Sequence, residues 1–191
     1  MGNSASIAAD VRLAANFTVR QYEAARANHD VRAISDLVQK RFEERYLTPL
    51  LANRRELHGF TLASIACLMM EALRSFQLGH RKTRGTVQRT FEEFIRANSE
   101  LVALHPVADQ FYLHVRNGLL HQAETTGGWR IRKSGALFDP ELKCVNAVRL
   151  LRQLRHVLAR YCRELASASW SDVAVTNCVR KLDSIASECA A

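Results

Sequence analysis

Arg116, Asn117 and His121 stand close together in the stretch VRNGLLHQAE, residues 115–124. Those three types suffice for chemistry on a phosphodiester. An imidazole titrates near neutrality, so His121 can take or give a proton. A guanidinium keeps its charge and grips phosphate oxygens in pairs, so Arg116 can hold a scissile phosphate and stabilise its developing charge. Asn117 lies one turn before His121 and can fix its tautomer or contact a ribose. Cleavage of RNA by its own 2′-hydroxyl needs only a base, an acid and such a positive charge. No metal or cofactor is called for, and no cluster with metal-ligand spacing is present.

Spacing alone does not single out this stretch, because arginine also precedes histidine in Arg74 to His80 and in Arg149 to His156. The distinguishing features are Asn117 directly after the arginine, the Gly118-Leu119-Leu120 spacer, and Gln122 after the histidine. His114, seven residues before His121, falls on a similar face as an auxiliary or structural group. Gly118 either admits another backbone or loosens the helix.

The elements that must carry these residues are helical. Three prolines and eight glycines in 191 residues, with long Ala, Leu, Arg and Glu-rich stretches, predict an all-α chain folding as a single domain over 1–191. Helical periodicity runs through 5–27, 31–52, 60–78, 84–103, 106–124, 140–167 and 171–188. Gly59, Gly79, His105-Pro106, Gly127-Gly128 and Asp139-Pro140 punctuate it. Within 129–138, WRIRKSGALF reads as a small β-hairpin around Lys133-Ser134-Gly135. The segment 60–78 is apolar almost all round, as a central buried helix should be, except for a seam of Ser64, Glu71, Arg74 and Ser75. Glu71 either pairs with Arg74 one turn away or orients a residue of the site.

Basic residues gather in three places. Arg149, Arg152, His156, Arg160 and Arg163 share one stripe of 140–167, opposite Leu151, Leu154, Leu158, Tyr161 and Leu165. His80, Arg81, Lys82, Arg84 and Arg89 form a second group, and Arg130, Arg132 and Lys133 a third. A stripe of this kind is either a solvated face or a phosphate-binding track. Trp129 beside the third group either stacks a base or plugs the edge of a core. The formal charge of +8 attracts a polyanion, nucleic acid above all.

The residues RNGLLHQ resemble the R-N-x3-H motif of the HEPN superfamily, the higher eukaryote and prokaryote nucleotide-binding domains. RFEERYLTPL, GFTLASIACLMMEALRSFQLG and FYLHVRNGLLHQAETTGGWRI extend that resemblance to a prokaryotic subfamily associated with plasmids and mobile elements, across roughly 41–131. Ala123 departs from the variant paired with nucleotidyltransferases, where a tyrosine stands two places after the histidine. The resemblance implies an all-α HEPN-like helical bundle with Arg116, Asn117 and His121 at the motif positions. It further implies a metal-independent endoribonuclease acting in toxin-antitoxin systems or phage defence, with an antitoxin or other regulatory protein as partner. A non-catalytic RNA- or nucleotide-binding module and a protein-interaction helical domain are the alternatives.

A homodimer is expected on two grounds. Transesterification uses a base and an acid, yet the motif supplies one histidine per chain. In an unbroken helix Arg116 and His121 also point roughly 140° apart, so either the helix starts or kinks near Asn117 or each group meets the other chain. The five cysteines, Cys67, Cys144, Cys162, Cys178 and Cys189, lack any C-x-x-C pairing and read as reduced thiols. Met1 to Ser6 fits either a bare myristoylation pattern or a frayed N-terminus capped by Ser4 or Ser6. No secretory signal and no stretch of membrane-spanning length is read, so a cytoplasmic protein without membrane contact is expected.

Overall fold

The computed structural model describes residues 10–81 and 87–190. The Met1 to Ser6 pattern and the basic residues Lys82 and Arg84 lie outside those residues. The fold is mainly α-helical with small strand pairs. It packs as two compact units, one from Met1–Arg45, Ser75–Thr83 and Leu158–Ala191, the other from Tyr46–Arg74 and Arg84–Val157. No composition shift or linker in the sequence marks this division, and its boundaries at Arg45, Ser75 and Leu158 fall within helices.

In the first unit, β1 (Arg12–Ala14) pairs antiparallel with β2 (Phe17–Thr18), where a helix through 5–27 was expected. The helix α1 (Val19–Ala27) starts only after Thr18. Thr18 Oγ1 accepts from the Gln21 amide at 3.3 Å, and the Gln21 side chain accepts from the Thr18 amide at 2.8 Å, a reciprocal cap that fixes the start. Arg41 and Arg45 donate to the Leu13 carbonyl at 2.5 and 3.0 Å, holding the ribbon on α2 (Val31–Phe42) and the residues after it. Ile34, Leu37, Val38 and Phe42 of α2 are buried with Tyr22, Phe76, Leu158, Cys162, Leu165 and Leu182.

The second unit contains α3 (Thr48–Ala52), most of α4 (Gly59–Leu78), α5 (Val87–Ala97), a 3-10 segment (Ser99–Val107), α6 (Ala108–Gln110), a π-helical turn (Phe111–Arg116) and α7 (Asn117–Gln122). By length and composition alone α4 is long and apolar enough to cross a membrane, where no stretch of that length was expected. Leu62, Ala63, Ala66, Cys67, Met69, Met70 and Leu73 are nonetheless fully buried within the protein.

The β element near 129–138 is present, but its strands do not form a hairpin. β3 (Arg130–Arg132) runs parallel to β5 (Cys144–Asn146), and β4 (Phe138–Asp139) pairs antiparallel on the other edge of β5. The third strand lies inside what reads as the start of a helix at 140. That helix, α8 (Ala147–Ser167), begins later because Asn146 caps it, its Oδ1 accepting from the Arg149 amide at 3.0 Å. The final helix is α9 (Val173–Ala190).

Candidate active site

The motif residues occupy the junction of the π turn and α7. Asn117 Nα–H bonds back to the Tyr112 carbonyl, the wide turn that precedes the site. Backbone angles at Arg116 and Asn117 stay helical, so the chain neither starts nor breaks at Asn117. The five steps from Arg116 to His121 therefore keep the divergence of roughly 140° expected of a continuous helix.

Arg116 turns inward. Its Nε donates to Glu71 Oε1 at 2.6 Å and its Nη1 to Asn117 Oδ1 at 2.9 Å. The guanidinium carbon also lies 5.3 Å from the Tyr112 ring centre, within cation–π range. The side chains of Arg116 and Glu71 are 13% and 20% exposed, so this is a partly buried ion pair. Burial works to lower the Arg116 pKa, but the bond to Glu71 and its charge outweigh burial and hold the guanidinium above its ordinary value. Beneath the pair, burial, reinforced by the Glu71 charge, pushes the Cys67 thiol up to about 12.

Glu71 pairs with Arg116 and not, as spacing along α4 suggests, with Arg74 one turn away. Arg74, its neighbour along α4, reaches Glu93 of α5 at 3.2 Å. Asn117 is committed to Arg116, and no bond from it to His121 is present among the described residues. His121 itself is exposed in the last turn of α7. One chain thus offers a preset guanidinium and an accessible imidazole, but on diverging faces.

Two neighbours pack against the turn that follows α7. His114 Nδ1 meets Thr126 Oγ1 at 2.9 Å, and its carbonyl accepts from the Thr126 amide at 3.0 Å. A side chain at Gly127, where φ is +59°, would collide with the His114 ring, so the tight turn and the imidazole are fitted to each other. Gly118 resolves toward close approach: a Cβ there would strike the Glu124 carbonyl oxygen as the chain folds back after α7. Ala123 completes that reversal in the left-handed region, with φ of 55°.

The basic groups are only partly available. Arg130 is exposed, whereas Arg132 pairs with Asp139 at 3.3 Å and Lys133 donates to the carbonyls of Arg55 and Leu57 at 2.8 and 3.1 Å. Trp129 is 3% exposed, stacked on Phe138 at 5.2 Å and edge-on to Phe111, so it plugs the core and offers no platform for a base. On α8, Arg149, Arg152, His156 and Arg163 are exposed, while Arg160 bonds Glu164 at 3.2 Å. Sequence reasoning missed that Glu164, one turn on, answers one charge of the stripe. Four of the five cysteines are buried, all five are free, and burial pushes Cys162 and Cys178 up to about 12. Among the described residues no three His, Cys, Asp or Glu side chains gather as metal ligands. No protein-family model matches the chain, and comparison with curated proteins and with solved structures finds no match for it either.

Proposed function

We propose that this chain is a HEPN-type endoribonuclease that works as a homodimer, with Arg116 on the scissile phosphate and His121 in proton transfer. The observation that carries the reading is the Glu71–Arg116–Asn117 arrangement. A helix-borne guanidinium is fixed from two sides and kept charged, five residues before an exposed imidazole. Rigid presentation of a permanent cation is what stabilising a phosphorane requires.

In the reaction, the 2′-oxygen attacks phosphorus as its proton passes to one imidazole. The bond from phosphorus to the 5′-oxygen breaks, and that oxygen takes a proton from a second imidazole. The products are a 2′,3′-cyclic phosphate and a 5′-hydroxyl. Each chain contributes one His121, so base and acid come from two copies around one cleft.

Incubation of mixed RNA in EDTA with mapping of the product ends tests this. The wild type should leave cyclic-phosphate ends. His121→Ala and Arg116→Ala should each lower the rate by about 10²-fold or more while helicity is retained. Wild-type rates in both variants would remove the assignment. A second reading, a non-catalytic RNA-binding module, draws on the same pair, since Glu71 neutralises part of the Arg116 charge. It predicts retarded but uncut RNA.

A further inference from the structure

The first unit holds a cavity of about 520 Å³, a size suited to a small ligand, in which none of the motif residues takes part. Arg26, Arg81, Arg180, His29, Trp170 and Asp183 are among the residues that line it.

The one acid among the described residues that line it is already committed. Asp183 Oδ1 accepts from the Tyr22 hydroxyl at 2.7 Å and from Arg26 Nε at 3.0 Å. Burial, together with Asp183, pushes the Tyr22 hydroxyl well above its ordinary pKa, so it stays a donor. Asp183 therefore offsets Arg26, and no carboxylate among the described residues forms an ion pair with Arg81 or Arg180. Side chains of α9 hold the Arg180 guanidinium and the backbone at Arg81. Asn177 donates to the Gln77 carbonyl at 2.9 Å and accepts from Arg180 Nη1 at 3.3 Å. Gly79, with φ of 66°, lets the chain pass against Asn177, and Lys181 holds the Arg81 carbonyl at 3.3 Å.

The aromatic side is equally built. His29 and Trp170 stack with centroids 4.5 Å apart and planes 16° from parallel. Trp170 stands in a loop closed by Ser169 and Asp172, each bonded to the other's backbone or side chain. His29 ends α1 at the position where a glycine normally reverses the chain. Its amide bonds the Arg26 carbonyl, the Asp30 amide bonds the Ala25 carbonyl, and its φ is +53°. A residue with a β-carbon is strained there, and the strain places an imidazole on the tryptophan.

From the unanswered cations beside a ring platform, we infer that this cavity binds a ribonucleoside monophosphate, its phosphate on Arg81 and Arg180 and its base on the His29–Trp170 stack. The inference stands independently of the nuclease reading.

Calorimetric titration of the full chain with AMP, GMP, CMP and UMP, and with adenosine and inorganic phosphate alone, tests it. At least one nucleotide should bind at one site per chain, more tightly than either fragment. Arg180→Gln and Trp170→Leu should each weaken that binding by about tenfold. Arg180 is exposed, so its variant decides the matter if Trp170→Leu fails to fold. His29→Gly should raise Tm while weakening binding, a pairing that a purely structural histidine would not give. Arg116→Ala should bind as the wild type does. The inference is overturned if none of the four nucleotides binds, if Arg180→Gln binds undiminished, or if Arg116→Ala abolishes binding.

Discussion

The guanidinium of Arg116 meets two demands that oppose one another: it must stay charged while partly buried, and its charge must remain usable by a phosphate. Glu71 meets the first at the expense of the second, because a carboxylate 2.6 Å away both fixes and neutralises it. Glu71→Gln separates the two effects, since the amide keeps an acceptor for Nε and loses the charge. Stability should fall by about 1–3 kcal/mol, read as a lower denaturation midpoint. RNA should bind more tightly to the freed cation while turnover slows with the loosened geometry; unchanged KM and kcat would mean the pair only braces α4 against the π turn. The sequence named Glu71 and Arg116 separately, but not their bond. Spacing along α4 favours Glu71 with Arg74, and only tertiary structure reveals that Arg74 goes to Glu93, 19 residues on, and Arg116 to Glu71, 45 residues back. Trp129 shows the same limit, since a tryptophan beside three basic residues reads alike whether its ring faces solvent or, as here, Phe138.

At the scale of elements, the π turn Phe111–Arg116 does what an α-helix cannot. It breaks the seven-residue register that would align His114 with His121, sending one imidazole into the Thr126 turn and leaving the other exposed. Periodicity within 106–124 announced a helix, but one extra residue per turn leaves no mark on a pattern of apolar positions. Gly118 is the matching device on the C-terminal side. Gly118→Ala should be destabilising by about 1–3 kcal/mol in chemical denaturation, because the obstacle is the Glu124 backbone and not a side chain that can swing away. An unchanged midpoint would show that the reversal after α7 relaxes freely. The stripe on α8 was legible to the residue, while its beginning was not, since Asn146 both ends a strand and caps the helix. Charge reversal at Arg149 or Arg152 should weaken RNA binding and flatten its dependence on salt by about one counterion each, whereas Arg160, paired with Glu164, should matter less. Equal salt slopes in all three variants and the wild type would take α8 out of the RNA surface.

For the whole molecule, the deciding fact is that Arg116 and His121 diverge within one chain, so the proposed chemistry needs a second copy. Two exposed leucines support that. Leu113, 54% exposed, lies three residues before Arg116, and Leu68, 40% exposed, lies three before Glu71, so each helix carries an uncovered apolar side chain one turn from the ion pair. A self-complementary face would bury both leucines and bring two copies of the motif to one axis. Leu113→Lys should then turn a dimer into a monomer in sedimentation and remove RNA cleavage while helicity persists. Mixing inactive chains gives the sharper test. A dimer of His121→Ala with Arg116→Ala keeps one arginine and one histidine in the shared cleft, whereas either variant alone lacks both copies of one group. Activity in the mixture should therefore exceed the sum of the separate variants yet stay below wild type, since one of the two proton-transfer groups is still missing. No gain on mixing exchanged chains, or full activity in a strictly monomeric wild type, would sink the shared cleft and return Arg116 to a structural role beside Glu71.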